Sequence, residues 1–158
     1  MIELKFTEGE LPASGTLVVG IAAPSTLGAA AASLDRKSKG LVRKALDQAG
    51  GPKHSKFLEL VLPRGLELDR LLLVGIGKPD GLGRLEREEL GARVARKLEA
   101  LGVEAAVLAP LDGLELGTGA ATAAAELALG AKLASYAFRK YQTPDKDEAK
   151  RLGHLTVN

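Results

Sequence analysis

A chain of 158 residues, 46% hydrophobic and 27% charged, has the length and balance of one ordinary domain with a sizeable core. Its net charge of +2 gives no electrostatic case for nucleic acid or a membrane surface as partner. It has no cysteine, which excludes disulfide scaffolds, thiol catalysis and cysteine-based zinc sites and fits a reducing, cytoplasmic setting.

The opening Met1-Ile2-Glu3-Leu4-Lys5-Phe6 lacks the basic and then apolar order of a signal peptide. Ile2, Leu4 and Phe6 alternate with charged residues, which predicts a strand with one buried face. Gly9 to Gly15 predicts a turn. Thr16-Leu17-Val18-Val19-Gly20-Ile21 is a continuous apolar run, the pattern of a strand covered on both faces. Pro24 to Leu34 is Ala-rich and predicted to be at least partly helical. Ser38 is placed to cap a second helix, with Leu41, Val42, Ala45, Leu46 and Ala49 on one side and Gly50-Gly51 at its end.

Phe57 to Leu62 predicts another strand, and Pro63 and Gly65 turn the chain. Arg70-Leu71-Leu72-Leu73-Val74-Gly75-Ile76-Gly77 is the clearest buried strand, followed by a polar loop from Lys78 to Gly83. Leu90, Val94, Leu98 and Leu101 then stripe one helix face. Glu86, Glu88 and Glu89 lie in the first turns of that helix and Lys97 near its end, as the helix dipole favours, and Gly102 is placed as its cap. Val103 to Ala109 returns as a strand, so a right-handed crossover and parallel pairing are expected. A long helix is predicted from about Thr118 to Tyr141, a solvated connection from Gln142 to Gly153, and a final strand over His154 to Val157. The stop one residue later suggests a polypeptide that continues. No uncharged run approaches the ~18 residues of a membrane span; the nearest, Gly119 to Ala134, contains Glu126 and Lys132. The elements add up to a three-layer α/β/α fold, a mixed, mostly parallel sheet with helices on both faces.

Two glycine-bearing turns are the candidate binding sites. Gly75 and Gly77 leave a strong strand, where open α/β sheets bind ligands. In this run the third glycine, Gly81, comes one residue late for a dinucleotide fingerprint, and Pro79 after Lys78 does not fit a P-loop, so a structural turn is preferred. Gly117 and Gly119 precede the long helix, where free N–H groups attract anions, although an N-cap with tight helix entry is the preferred reading. The only histidines are His54 and His154, and no His-Glu-x-x-His or carboxylate cluster joins them, so no metal site is expected. No Gly-x-Ser-x-Gly elbow is present. Glu86, Glu88 and Glu89 read as a solvated helix start, and Arg139, Lys140, Lys146, Lys150 and Arg151, interleaved with acids, as a solvated face.

Both tyrosines and one of three phenylalanines fall within Gly130-Ala131-Lys132-Leu133-Ala134-Ser135-Tyr136-Ala137-Phe138-Arg139-Lys140-Tyr141. Leu127, Leu129, Leu133 and Phe138 are expected to give the Ala-rich helix bulk, and its aromatics to pin it to the sheet. This segment resembles the helix Gly-Ala-x-Leu-x-x-Tyr-x-Phe-x-x-Tyr that closes the N-terminal domain of the leucyl (cytosol) aminopeptidases. Leu71 to Lys78 is similar to that family's Leu-x-Val-Gly-Leu-Gly-Lys strand, and Leu34-Asp35 with Gly40 to its early helix region. Lys53 to Lys56 departs from the family's Gly-Lys-x-Gly loop.

The resemblance implies a macro-domain-like, non-catalytic N-terminal domain over residues 1–141. Residues 142–158 would be a polar connection and final strand leading toward a catalytic domain outside the chain. It implies that this other domain holds two divalent metals, zinc or manganese, and removes N-terminal residues from peptides. The parent would be a cytoplasmic homo-hexamer in which this domain contributes to assembly or regulation. The family's Asn-Thr-Asp-Ala-Glu-Gly-Arg-Leu signature has no counterpart here, so no catalytic residue carries over. One alternative is a stand-alone macro-like module binding ADP-ribose or a related nucleotide at Gly75 to Gly81 and Gly113 to Gly119, although the Asn-rich loop of such binders is missing. Another is an accessory nucleic-acid contact, which the low charge and sparse aromatics disfavour for the isolated chain.

Overall fold

A computed structural model of the chain describes residues 2–7, 10–22, 26–50, 56–77, 83–109, 119–140 and 152–157. In chain order the elements are β1 (Glu3–Phe6), β2 (Thr16–Ala22), β3 (Thr26–Leu27), α1 (Ala29–Lys37), α2 (Leu41–Gln48), β4 (Phe57–Val61), β5 (Arg70–Gly77), α3 (Arg84–Ala100), β6 (Ala105–Ala109), α4 (Ala120–Lys140) and β7 (His154–Val157).

The strands order as β1-β7-β6-β2-β5-β4. The pairs β1–β7, β7–β6, β6–β2 and β2–β5 are parallel, and β4 closes one edge antiparallel to β5. The sheet is therefore mixed and mostly parallel. β2 lies at its centre and is buried along its whole length, because Thr16 to Ala22 offers no charged residue to either face. β7 sits between β1 and β6, so the last strand of the chain is an interior strand of the sheet.

Alternation along β2 and β5 sorts the core into two halves. Val18, Ala22, Leu72, Val74 and Ile76 point to one face and meet Leu90, Val94 and Leu98 of α3 and Leu127, Ala131 and Ala134 of α4. Leu17, Val19, Ile21, Leu71 and Leu73 point to the other and meet Ala30, Ala31 and Leu34 of α1 and Val42 and Leu46 of α2. This is the expected three-layer α/β/α arrangement. Each fully buried leucine or isoleucine in these layers stabilises the fold by about 1.5–3 kcal/mol.

The Ala-rich segment ending at Leu34 is partly helical, as expected, with α1 beginning at Ala29, while three other local expectations give way. Ahead of α1, Thr26–Leu27 is a two-residue strand antiparallel to Ile21 and Ala22 of β2. It continues along the edge of β2 that β6 leaves free beyond Val19. Ser38 does not cap α2. It ends α1, donating its Oγ hydrogen to the carbonyl of Leu34 at 2.7 Å, and the residue at the start of α2 is Gly40 with φ of +87°. β1 is an edge strand, so while Ile2 is buried, Phe6 is 57% exposed. Finally, Tyr136 is 67% exposed and Leu133 57%, so these residues face away from the sheet that they were expected to grip. Phe138 and Tyr141 lie outside the residues described to side-chain level.

α3 and α4 both return from the carboxyl end of the parallel strands, so they run in the same direction on one face. They meet at Gly91 and Gly130. A Cβ on Gly91 would lie 1.9 Å from the carbonyl oxygen of Leu127, and one on Gly130 would lie 1.8 Å from that of Glu88. One turn toward the helix starts, Arg87 Nε donates to Glu126 Oε2, with both side chains largely buried.

Candidate functional site

In open α/β sheets ligands collect at the carboxyl ends of parallel strands, here the ends of β2, β5 and β6. The candidate glycines divide around that crevice. Gly75 is inside β5, paired with Ile21, and its N–H is spent on the carbonyl of Lys56 at 3.1 Å. That donor belongs to the sheet and is closed to a ligand. Gly77 ends β5 with φ of +72°, a conformation that favours glycine over any side chain. Gly119 precedes α4; its carbonyl accepts from the N–H of Ala123 at 3.1 Å, and the space where a side chain would stand is open. Gly117, Gly81 and Gly113 lie outside the described residues.

The two helix starts at this end differ in charge. At α3, a Cβ on Gly83 would lie 2.7 Å from Glu86 Oε2, so this carboxylate folds back over the helix start and offsets its partial positive charge. An incoming phosphate would meet a like charge there. The first turn of α4 has no acidic residue. The other carboxylates at the start of α3 are committed to arginines: Glu88 accepts from Arg84 Nε at 2.8 Å and Glu89 from Arg93. The pairing with Glu88 raises the Arg84 pKa above its already high ordinary value.

His154 stands at the start of β7, the opposite end of the sheet from Gly77. Its Nδ1 lies 3.0 Å from Glu3 Oε2 on the neighbouring strand, and both side chains are exposed. Two ligands on a sheet edge do not make a metal centre. No group of three or more His, Asp or Glu able to hold a metal occurs among the described residues. His54 and the side chains of Arg139, Lys140, Lys146, Lys150 and Arg151 lie outside them. No helix among the described residues is long and apolar enough to cross a membrane.

Sequence reasoning missed two polar arrangements. Arg87 and Glu126 pair between helices although they are 39 residues apart; the available signal was an arginine three residues before the apolar Leu90 and a lone carboxylate in an Ala-rich run. Asp35, buried at the end of α1, accepts from the backbone N–H of Arg43 at 3.0 Å and lies 3.5 Å from its guanidinium. It thus caps α2 from the preceding helix. An open cavity of about 740 Å³ also lies beside α1, lined by Leu11, Ala30, Ser33, Lys37, Glu67 and Leu68 among others. It sits where β2 and β5 begin, away from the glycine crevice.

The chain matches the model of the cytosol aminopeptidase family, N-terminal domain, over residues 18–145. It is 32% identical to a probable cytosol aminopeptidase of Rhodopseudomonas palustris over 99% of this chain and 31% of that protein. To a probable cytosol aminopeptidase of Caulobacter vibrioides it is 41% identical over 59% of this chain and 17% of that protein. Among solved structures, a tomato leucine aminopeptidase mutant superposes with a TM-score of 0.75 at 17% identity, covering 99% of this chain and 32% of the other. The macrodomain of Thermus aquaticus DarG superposes with a TM-score of 0.65 at 15% identity, covering 98% and 97%. At these identities the two structures bear on the fold alone. The chain spans about a third of the length of the relatives that match it along nearly its whole extent.

Proposed function

The chain belongs to the cytosol aminopeptidase family as its N-terminal domain, and from that premise we propose that it is a non-catalytic part of a longer metal-dependent exopeptidase, serving assembly or regulation. The observation that carries the reading is the match over residues 18–145 to the N-terminal domain, together with a span of only 31% of a relative that it follows almost throughout. On this reading the remaining portion removes N-terminal residues from peptides and binds two divalent metals, zinc or manganese, in a cytoplasmic hexamer.

The residues described here do not fit those metals. The nearest arrangement, His154 with Glu3, offers two exposed ligands, and the carboxylates at the start of α3 are engaged by arginines. No catalytic step is therefore assigned to this chain. The assembly role is tested by comparing the intact enzyme with one lacking this domain in sedimentation. The expected result is a lower assembled mass without the domain; an unchanged mass and unchanged activity would remove the role.

A second reading, binding of ADP-ribose or a related nucleotide, draws support from the acid-free start of α4 beside open space at Gly119. Calorimetry with ADP-ribose tests it, and no heat at millimolar ligand ends it.

A further inference from the structure

α3 and α4 lie side by side on one face of the sheet, yet their outward faces differ in kind. On α3 the outward positions spaced four and three apart are Glu89, Arg93 and Arg96, with a single leucine, Leu85, 72% exposed one turn before them. On α4 the same spacing brings Leu129, Leu133 and Tyr136 outward, 38%, 57% and 67% exposed. Thr122 and Ala125 extend that stripe toward the helix start, and both are exposed. The opposite face of α4, with Leu127, Ala131 and Ala134, is already buried against the sheet and α3. A helix that is apolar on both faces has the composition of a buried helix, whereas α3 has that of a surface helix.

We propose that the outward stripe of α4 is the seat of the catalytic portion of the aminopeptidase, an inference that rests on the function proposed above. Two observations select this occupant. The chain spans 31% of the Rhodopseudomonas palustris relative and 32% of the tomato enzyme, so about two thirds of such a polypeptide lies outside it and is large enough to cover the helix. The stripe is also small. Two leucines, one tyrosine and an alanine fall well short of the ~800 Å² per partner that a stable pairing of separate chains needs. A portion tethered to the same polypeptide is at high effective concentration and can hold a contact of this size. Lys132, exposed at the margin, supplies the polar rim usual around an apolar contact.

Because the chain has no cysteine, single thiols report on this surface without background from it. Leu133→Cys places one on the stripe and Arg96→Cys places one on the charged face of α3; both native residues are exposed, so neither change disturbs the core. Maleimide labelling of each position is followed by peptide mass spectrometry, in the 158-residue chain and in the intact enzyme. The expected result is labelling at position 133 at least ~10-fold slower in the intact enzyme, with position 96 changed less than ~2-fold, as full desolvation of one site alone requires. Equal labelling at position 133 in both forms would overturn the docking face. So would protection at 133 already in the isolated chain with a dimer mass, which makes a second copy the occupant. Peptidase activity of the intact enzyme is measured in parallel: its absence would sink the functional reading and leave the labelling result to decide the docking face by itself.

Discussion

Gly91 and Gly130 stand opposite each other where α3 crosses α4, each with a backbone carbonyl of the other helix in the place of its own missing side chain. The resemblance that first singled out Gly130 thus has a physical cause: only a hydrogen at that Cα lets the two helices come this close. Gly130→Ala gains about 1 kcal/mol of helix propensity. It also forces a methyl group to within 1.8 Å of the Glu88 carbonyl oxygen, so the helices must part. Overpacking of this kind costs about 1–3 kcal/mol and here meets backbone, which cannot rotate away. The expected outcome in urea denaturation is a net loss for Gly91→Ala and for Gly130→Ala. The double variant should lose less than the sum, because the first methyl already separates the helices.

The Arg87–Glu126 pair sits one turn from that crossing, largely out of water. Removing either partner takes this ion pair away from a largely buried charge, so Arg87→Met or Glu126→Leu alone should destabilise by about 3–5 kcal/mol. The two changes together should recover most of that loss, since an apolar pair of similar volume fits between the helices. A double-mutant cycle measured by thermal unfolding gives the coupling directly.

At the other layer, Asp35 takes the capping role on α2 that the sequence suggests for Ser38. Asp35→Ala removes the acceptor for the Arg43 N–H and should cost about 1–2 kcal/mol. Ser38→Ala removes a bond to the Leu34 carbonyl, which the N–H of Ser38 still satisfies at 2.9 Å. That loss should stay below ~1 kcal/mol. Chemical denaturation of the two variants in one buffer ranks them, and a larger loss at Ser38 would reinstate it as the cap.

Tyr136 offers a test with the opposite sign. It is 67% exposed in this chain, so Tyr136→Ala should move the unfolding free energy of the isolated chain by less than ~0.5 kcal/mol. A loss of several kcal/mol would mean that the ring anchors α4 to the sheet after all.

These cases show which parts of the fold can be read from the residues. β5 is legible because eight residues from Arg70 to Gly77 carry one charge, at the first position, and little else than aliphatic side chains. The helix α3 is legible because Leu90, Val94 and Leu98 recur at its pitch. β3 is not, because two residues carry no period, and Thr26 and Leu27 become a strand only by meeting the end of β2. Asp35 escapes notice because its partner N–H is eight residues downstream, across a turn set by Gly40. In α4 the pattern itself is ambiguous: with alanine and leucine on every side, only the position of the sheet decides that Leu127 is inside and Leu133 outside. The glycine turns are partly legible. Gly77 needs its positive φ, while Gly75, its neighbour in the same run, is simply a residue of the strand.

A non-catalytic N-terminal domain does not cut peptides by itself. The direct measurement is hydrolysis of a leucyl chromogenic substrate by the purified 158-residue chain with added manganese or zinc. The predicted result is a rate equal to that of metal and buffer without protein. Turnover clearly above that blank, proportional to protein and lost on adding a chelator, would contradict it.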